Sequence, residues 1–117
     1  MPNPVVHFEI IGTDGSALRD FYAATFGWQI QAPPDMDYGL VENNGDGING
    51  GVGGADAASA MFYIQVDDPQ AYLDKIAATG GKAVTPVTTI PGMVTLAHFA
   101  DPQGNVVGLV AAETPAA

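Results

Sequence analysis

Residues 61–81 read MFYIQVDDPQAYLDKIAATGG, a complete strand-to-helix unit with both ends of the helix punctuated. Met61 to Val66 is rich in β-branched and aromatic residues, which fit a pleated, half-buried surface, and is read as a strand. Asp68 is placed as the N-cap, where a carboxylate accepts a hydrogen bond from a free first-turn amide. Pro69 then takes the first helical position, where its missing N–H removes nothing. Tyr72, Leu73, Ile76 and Ala77 recur at helical spacing as the expected buried face, and Gly80-Gly81 stop the helix.

Working outward, the C-terminal side carries strands near Lys82 to Val84, Met93 to Phe99 and Asn105 to Val110, the last two joined by the turn Asp101-Pro102-Gln103-Gly104. The N-terminal side has the same order of elements. Residues 4–11 alternate as a strand that turns Phe8 and Ile10 to a core and His7 and Glu9 the other way. A helix from about Gly15 to Phe26 follows, capped by Ser16 and ended by Gly27, with Leu18, Phe21, Tyr22 and Phe26 as a core stripe. Strands around Trp28 to Ala32, Asp37 to Glu42 and Gly47 to Val52 complete that half, with Glu42-Asn43-Asn44-Gly45 as a hairpin turn. Each half is strand, helix, then several strands, repeated at roughly fifty residues, as an internal duplication would be. Neither half can bury both faces of its sheet alone. Joining two curved sheets, with the helices outside, leaves a cup inside.

Composition narrows the function. The chain has 117 residues, a length suited to one domain, and 47% of them are hydrophobic, enough for a core. Thirteen acidic residues against three basic ones give a formal net charge of -10. That field repels a phosphate backbone, so nucleic acid is not an expected partner; neutral or cationic small molecules fit better. The absence of cysteine excludes disulfides and thiolate chemistry. No apolar stretch reaches the ~20 residues that span a bilayer, so no membrane partner is expected and the location is read as cytoplasmic. The alanine-rich tail after Val110 carries no periodic pattern and is expected to fray. Ser16 and Ser59 lack a nucleophile-elbow motif, and Asp67 and Asp68 are explained by strand ending and helix capping. No catalytic residue is assigned.

Several strings together resemble the vicinal-oxygen-chelate superfamily of glyoxalases, bleomycin-resistance proteins and extradiol dioxygenases. They are His7 on the first strand, Phe21-Tyr22, Phe26-Gly27-Trp28, Gly47-Ile48-Asn49-Gly50-Gly51, Val66-Asp67-Asp68 and Asp101-Pro102-Gln103-Gly104-Asn105. The resemblance covers residues 4 to 112. It implies an α+β fold of two βαβββ modules, about 4–54 and 59–112, forming a cup-shaped mixed sheet with helices outside, commonly as a homodimer. Active members bind a divalent metal and two adjacent substrate oxygens; the bleomycin-resistance proteins only sequester a drug.

In metal-dependent members the ligands lie on the first and last strand of each module. His7 matches the first. Its sister position is Met61, a poor ligand for a hard cation. The last-strand carboxylate of module two would fall at Gly108, and that of module one within Asn49-Gly50-Gly51. Glu9, two residues beyond His7, shares its face and is the best additional metal candidate, while a His–Glu pair hydrogen-bonded in a polar cup is the favoured alternative. His98 faces opposite to Phe99 and is read as a surface or interface histidine, with ligand or general base as minor readings. The glycines of residues 47–54 are read as bulges and close backbone approach, and glycine in place of a ligand is expected to enlarge the pocket.

The sequence thus predicts a small-molecule binding protein without the usual metal site and without an assigned cofactor, its cup lined by His7, Glu9, Met61, Tyr63, Gln65 and Gly108. Two alternatives stay open. One is a divergent divalent-metal-dependent lyase, isomerase or dioxygenase acting on a small oxygen-rich substrate; the other is a subunit whose function lies in association.

Overall fold

The duplicated pattern is realised as two βαβββ units in an α+β fold. The computed structural model describes residues 2–112, so the expected fraying of the tail concerns residues that lie largely outside the described part. In chain order the elements are β1 (Val5–Gly12), α1 (Gly15–Phe26), β2 (Gln29–Gln31), β3 (Tyr38–Glu42) and β4 (Asn49–Gly54), then β5 (Ser59–Val66), α2 (Pro69–Ala78), β6 (Lys82–Ile90), β7 (Val94–Ala100) and β8 (Val106–Ala111). Contacts group Val6–Phe62 as one unit and the rest of the described chain as the other. Among the described residues, no helix is long and apolar enough to cross a membrane.

In the first unit the strands run in the order β2-β3-β4-β1, with β1 parallel to β4 and the other pairs antiparallel. Directly opposed residues share a face, so Phe8 with Gly50 and Ile10 with Val52 look one way, and His7 with Asn49 and Glu9 with Gly51 the other. Val41 and Val52 are 2% and 0% exposed on the first of these faces. The Phe8 ring lies over Gly50, where a Cβ would overlap it, and tilts against Trp28 at 5.2 Å between ring centroids.

Helix α1 departs from the reading in two ways. Its N-cap is Asp14, whose Oδ1 accepts from Ala17 N at 3.0 Å, and not Ser16. Both residue types cap well, but the cap must precede the first helical residue, which is Gly15. The aromatic stripe is also not core: Phe21 and Phe26 are 55% and 60% exposed. The helix instead turns Gly15, Leu18, Arg19, Tyr22 and Ala23 inward, because Gly15 sits against the Asp37 carboxylate so tightly that a Cβ would overlap it. Phe21 and Phe26 flank that face and pack on Tyr22, which stacks on Trp28 at 5.1 Å. Arg19 anchors the helix by donating to Asp37 Oδ1 at 3.0 Å and to the Val52 carbonyl at 3.3 Å.

The hairpin turn is shifted by one residue, to Asn43–Asp46. Asp46 N donates to the Asn43 carbonyl at 2.9 Å, and Asn44 and Gly45 have φ of 52° and 85°. Positive φ at both central residues matches the twist of the strands it joins, and asparagine followed by glycine tolerates it best.

The second unit orders its strands β5-β8-β7-β6, with β5 parallel to β8. Val66, Leu73, Ala97 and Leu109 form its buried centre, joined by Ile64, Tyr72, Ile76, Val87 and Phe99. Helix α2 is capped as expected by Asp68, which accepts from Ala71 N at 3.3 Å, but Ala77 is exposed and lies outside the buried face. Strand β6 runs well past Val84, to Ile90. Pro86 breaks the local pattern, yet on this edge strand the pairing with β7 resumes through register shifts around Thr85.

These burials set an expected contrast. Leu109→Ala should lower unfolding free energy by about 2–5 kcal/mol, the range for an unrelieved core cavity. Phe26→Ser should lower it by less than about 1.5 kcal/mol, the worth of a surface ring contact. Urea denaturation measures both, and equal losses would contradict the inward face assigned to α1.

Candidate functional site

The ladder register carries His7 and Glu9 into two rows that cross the first unit, one polar throughout and one mixed. One row is Gln29, Glu42, Asn49 and His7, though Glu42 and Asn49 meet through side chains and not as backbone partners. The other is Gln31, Leu40, Gly51 and Glu9, each opposed to the next across β2, β3, β4 and β1. Asn49 Nδ2 lies 3.4 Å from Glu42 Oε2, and Glu42 Oε1 accepts from Asn44 N at 3.2 Å. A shallow groove over β2 and β3 is lined by Gln29, Gln31, Leu40 and Glu42.

Sequence reasoning missed Tyr38. Its hydroxyl lies 2.9 Å from His7 Nε2, and its ring lies over Gly51, where any Cβ would overlap it. The signal was present in period two: Tyr38 opposes Gly53 on β4 and so shares the face of Gly51 and Glu9. His7 is half-buried, and burial lowers its pKa below the ordinary value, with partial opposition from the Glu9 carboxylate. A neutral imidazole protonated at Nδ1 leaves Nε2 to accept from the Tyr38 hydroxyl.

The second unit holds a matching pair built from other positions. Tyr63 opposes Gly108, and Gly108 opposes His98. The Tyr63 hydroxyl is 2.8 Å from His98 Nε2, and the two rings meet edge to face at 5.5 Å. Tyr63 is only 5% exposed, and a Cβ on Gly108 would overlap its ring. The reading of His98 as a surface residue is therefore corrected: it is half-buried within its own chain and bonded to Tyr63. Met61 and Gln65 share the face of Tyr63 by alternation, and both are partly buried.

Equating Gly51 with Gly108 makes Glu9 the counterpart of Tyr63, His7 that of Met61, and Leu40 that of His98. Module one thus has its histidine on the first strand and its tyrosine on the third, and module two the reverse. Gly50 and Gly51 lie in regular strand pairing and form no bulge. The volume that glycine vacates is also not open pocket, because a tyrosine ring fills it in each module.

Two outcomes follow from this packing. Gly108→Ala should lose about 1–3 kcal/mol of stability, since the buried Tyr63 ring has nowhere to relax, and thermal unfolding reads this directly. His7 should titrate below 6.5 by proton NMR, the direction burial dictates. Because the unfolded chain takes up this proton first, the stability held by neutral His7 is complete above pH 6.5 and declines as pH falls through 6.5 toward the folded-state pKa. His7→Gln should remove that decline; an unchanged pH profile would contradict the assignment.

Comparison with known proteins agrees with this architecture. The family described as "Bleomycin resistance protein-like N-terminal" matches residues 5–44. A glyoxylase-like domain-containing protein of Didymella fabae is 32% identical over 108 residues, covering 83% of this chain and 84% of that protein. Among solved structures, a glyoxalase/bleomycin resistance protein/dioxygenase superfamily member from Vibrio splendidus 12B01 is similar at TM-score 0.67 and 16% identity, over 95% of this chain and 100% of that one. Methylmalonyl-CoA epimerase from Mycobacterium tuberculosis gives TM-score 0.67 at 13% identity, over 94% and 88%. At such identities these two speak for the fold alone. Sequence relationship, duplicated modules and strand order together establish that the chain belongs to the glyoxalase-like family of the vicinal-oxygen-chelate superfamily.

Proposed function

We propose that the chain is a small-molecule binding protein of the glyoxalase/bleomycin-resistance kind, which holds its ligand through hydrogen-bonding side chains without a metal. The observation that carries this reading is the tyrosine ring packed over glycine on the last strand of each module, with its hydroxyl bonded to a histidine. On this reading the two modules act as one domain in a homodimer, as the resemblance implies, and the protein works in the cytoplasm.

A divalent ion needs at least three convergent donors. The positions the superfamily would use hold His7, the thioether of Met61, and glycines at Gly51 and Gly108. His7 Nε2 faces a tyrosine hydroxyl at 2.9 Å, and Glu9 beside it raises the local donor set only to two. Among the described residues, no group of three His, Asp or Glu side chains could hold an ion. The residues present do not fit a resident divalent metal, and no chemical step is routed through one. What they offer instead is hydrogen-bonding side chains within each unit, His7, Tyr38 and Glu9 in the first and Tyr63, His98 and Gln65 in the second. Either group suits a neutral or cationic organic molecule bearing hydroxyl or amine groups.

Calorimetric screening of such molecules with and without EDTA tests the proposal. Ligands should bind with the same Kd in both conditions, and Tyr38→Phe should weaken binding about tenfold, the worth of one hydrogen bond of roughly 1.4 kcal/mol. Binding abolished by chelator, or near-stoichiometric metal in the purified protein that is lost in His7→Ala, would instead favour the metal-dependent enzyme.

A further inference from the structure

We propose that the groove over β2 and β3 is a recognition site for an organic ammonium group, and that it extends the His7–Tyr38 site toward the edge of the sheet for an elongated cationic ligand. The proposal rests on the binding-protein reading of that site, and its test separates the two.

The groove is lined by Gln29, Gln31, Leu40 and Glu42. It is not isolated, because the polar row of Gln29, Glu42 and Asn49 leads across β4 to His7, and the parallel row ends on Glu9 by way of Leu40 and Gly51. Four strands at about 4.8 Å spacing set roughly 14 Å between the outer and inner ends of these rows, the length of an extended molecule and not of a single small acid. Glu42 supplies the charge. Its carboxylate is steadied by Asn44 N at 3.2 Å and Asn49 Nδ2 at 3.4 Å, which leaves acceptor capacity for a ligand N–H. Gln29 and Gln31 can donate to or accept from hydroxyl and amide groups, and Leu40, 49% exposed, offers an apolar flank for methylene groups.

The surrounding field has one sign. Residues 6–62 carry eight acidic side chains (Glu9, Asp14, Asp20, Asp35, Asp37, Glu42, Asp46 and Asp56) and a single basic one, Arg19. Arg19 is bonded to Asp37 and the Val52 carbonyl, so no cation is left on this unit to receive a phosphate or carboxylate. An anionic ligand is disfavoured along the whole strip, and an ammonium is favoured where the carboxylate lines a concavity.

The experiment uses three probes of equal length, 1,6-diaminohexane, 1,6-hexanediol and adipate, titrated into the full chain and followed by two-dimensional NMR of backbone and side-chain amides. The diamine should shift the Gln29 and Gln31 amides saturably, bind at least threefold more tightly than the diol, and weaken between about 20 and 150 mM salt as screening grows. Glu42→Gln should raise its Kd at least threefold, and adipate should shift neither amide. Equal response to diamine and diol, no effect of Glu42→Gln, or shifts spread evenly over Asp20, Asp35 and Asp56 would overturn the proposal. If a screened ligand engages His7 and Tyr38 while the diamine leaves the groove unshifted, the groove alone is refuted. If the groove responds and no ligand reaches His7 and Tyr38, the groove stands and the reading of the inner site falls.

Discussion

The site depends on a contact between a ring and the absence of a side chain. Gly51 and Gly108 have no Cβ, and an aromatic ring occupies the space that a Cβ would need. A tyrosine in that position has its hydroxyl within reach of a histidine on the far side of the glycine strand, giving bonds of 2.9 and 2.8 Å. The two features are mutually dependent. Any side chain on the glycine expels the ring, and with the ring goes the polar partner of the histidine. A last-strand carboxylate and this tyrosine packing therefore exclude one another in the same module.

The two modules reach this arrangement by different routes. In module one the histidine comes from β1 and the tyrosine from β3; in module two the tyrosine comes from β5 and the histidine from β7. Duplication fixes strand order and register, but it does not fix which residue type stands on which strand. The His–Tyr pair is thus a property of the face. Burial of His7 favours the neutral imidazole, whose Nε2 accepts a hydrogen bond from the Tyr38 hydroxyl or donates one to it according to the tautomer.

Much of the fold was legible because it is written in local signals. Asp68-Pro69 and Gly80-Gly81 bound a helix without reference to anything distant, and both helices and the βαβββ order follow from such punctuation. The errors arose where tertiary packing decides. Phe21 and Phe26 look like core because they are aromatic, yet the close approach of Gly15 to Asp37 rotates α1 so that Leu18, Arg19 and Tyr22 face inward. Strand β6 outran its local pattern because pairing with β7 carries it past Pro86. At the site, alternation alone put Glu9 beside His7, and Met61 and Gln65 beside Tyr63. Tyr38 and His98 were not legible as partners, since each pairing spans more than thirty residues and depends on the register of three strands.

The strong acidity is also more readable in three dimensions than as a total. Arg19 is committed to the Asp37 carboxylate, and Lys75 lies over the Tyr72 ring at 4.9 Å on α2. The charged groups in the two rows of the first unit are the carboxylates of Glu9 and Glu42, beside the amides of Gln29, Gln31 and Asn49. The most direct test of the central claim is an anomalous difference map from crystals grown with excess zinc and recorded at the zinc edge. The account predicts Tyr38 still bonded to His7, its ring over Gly51, and no anomalous density at His7. A zinc peak held by His7 and two or more further protein donors, with the Tyr38 ring displaced, would contradict it.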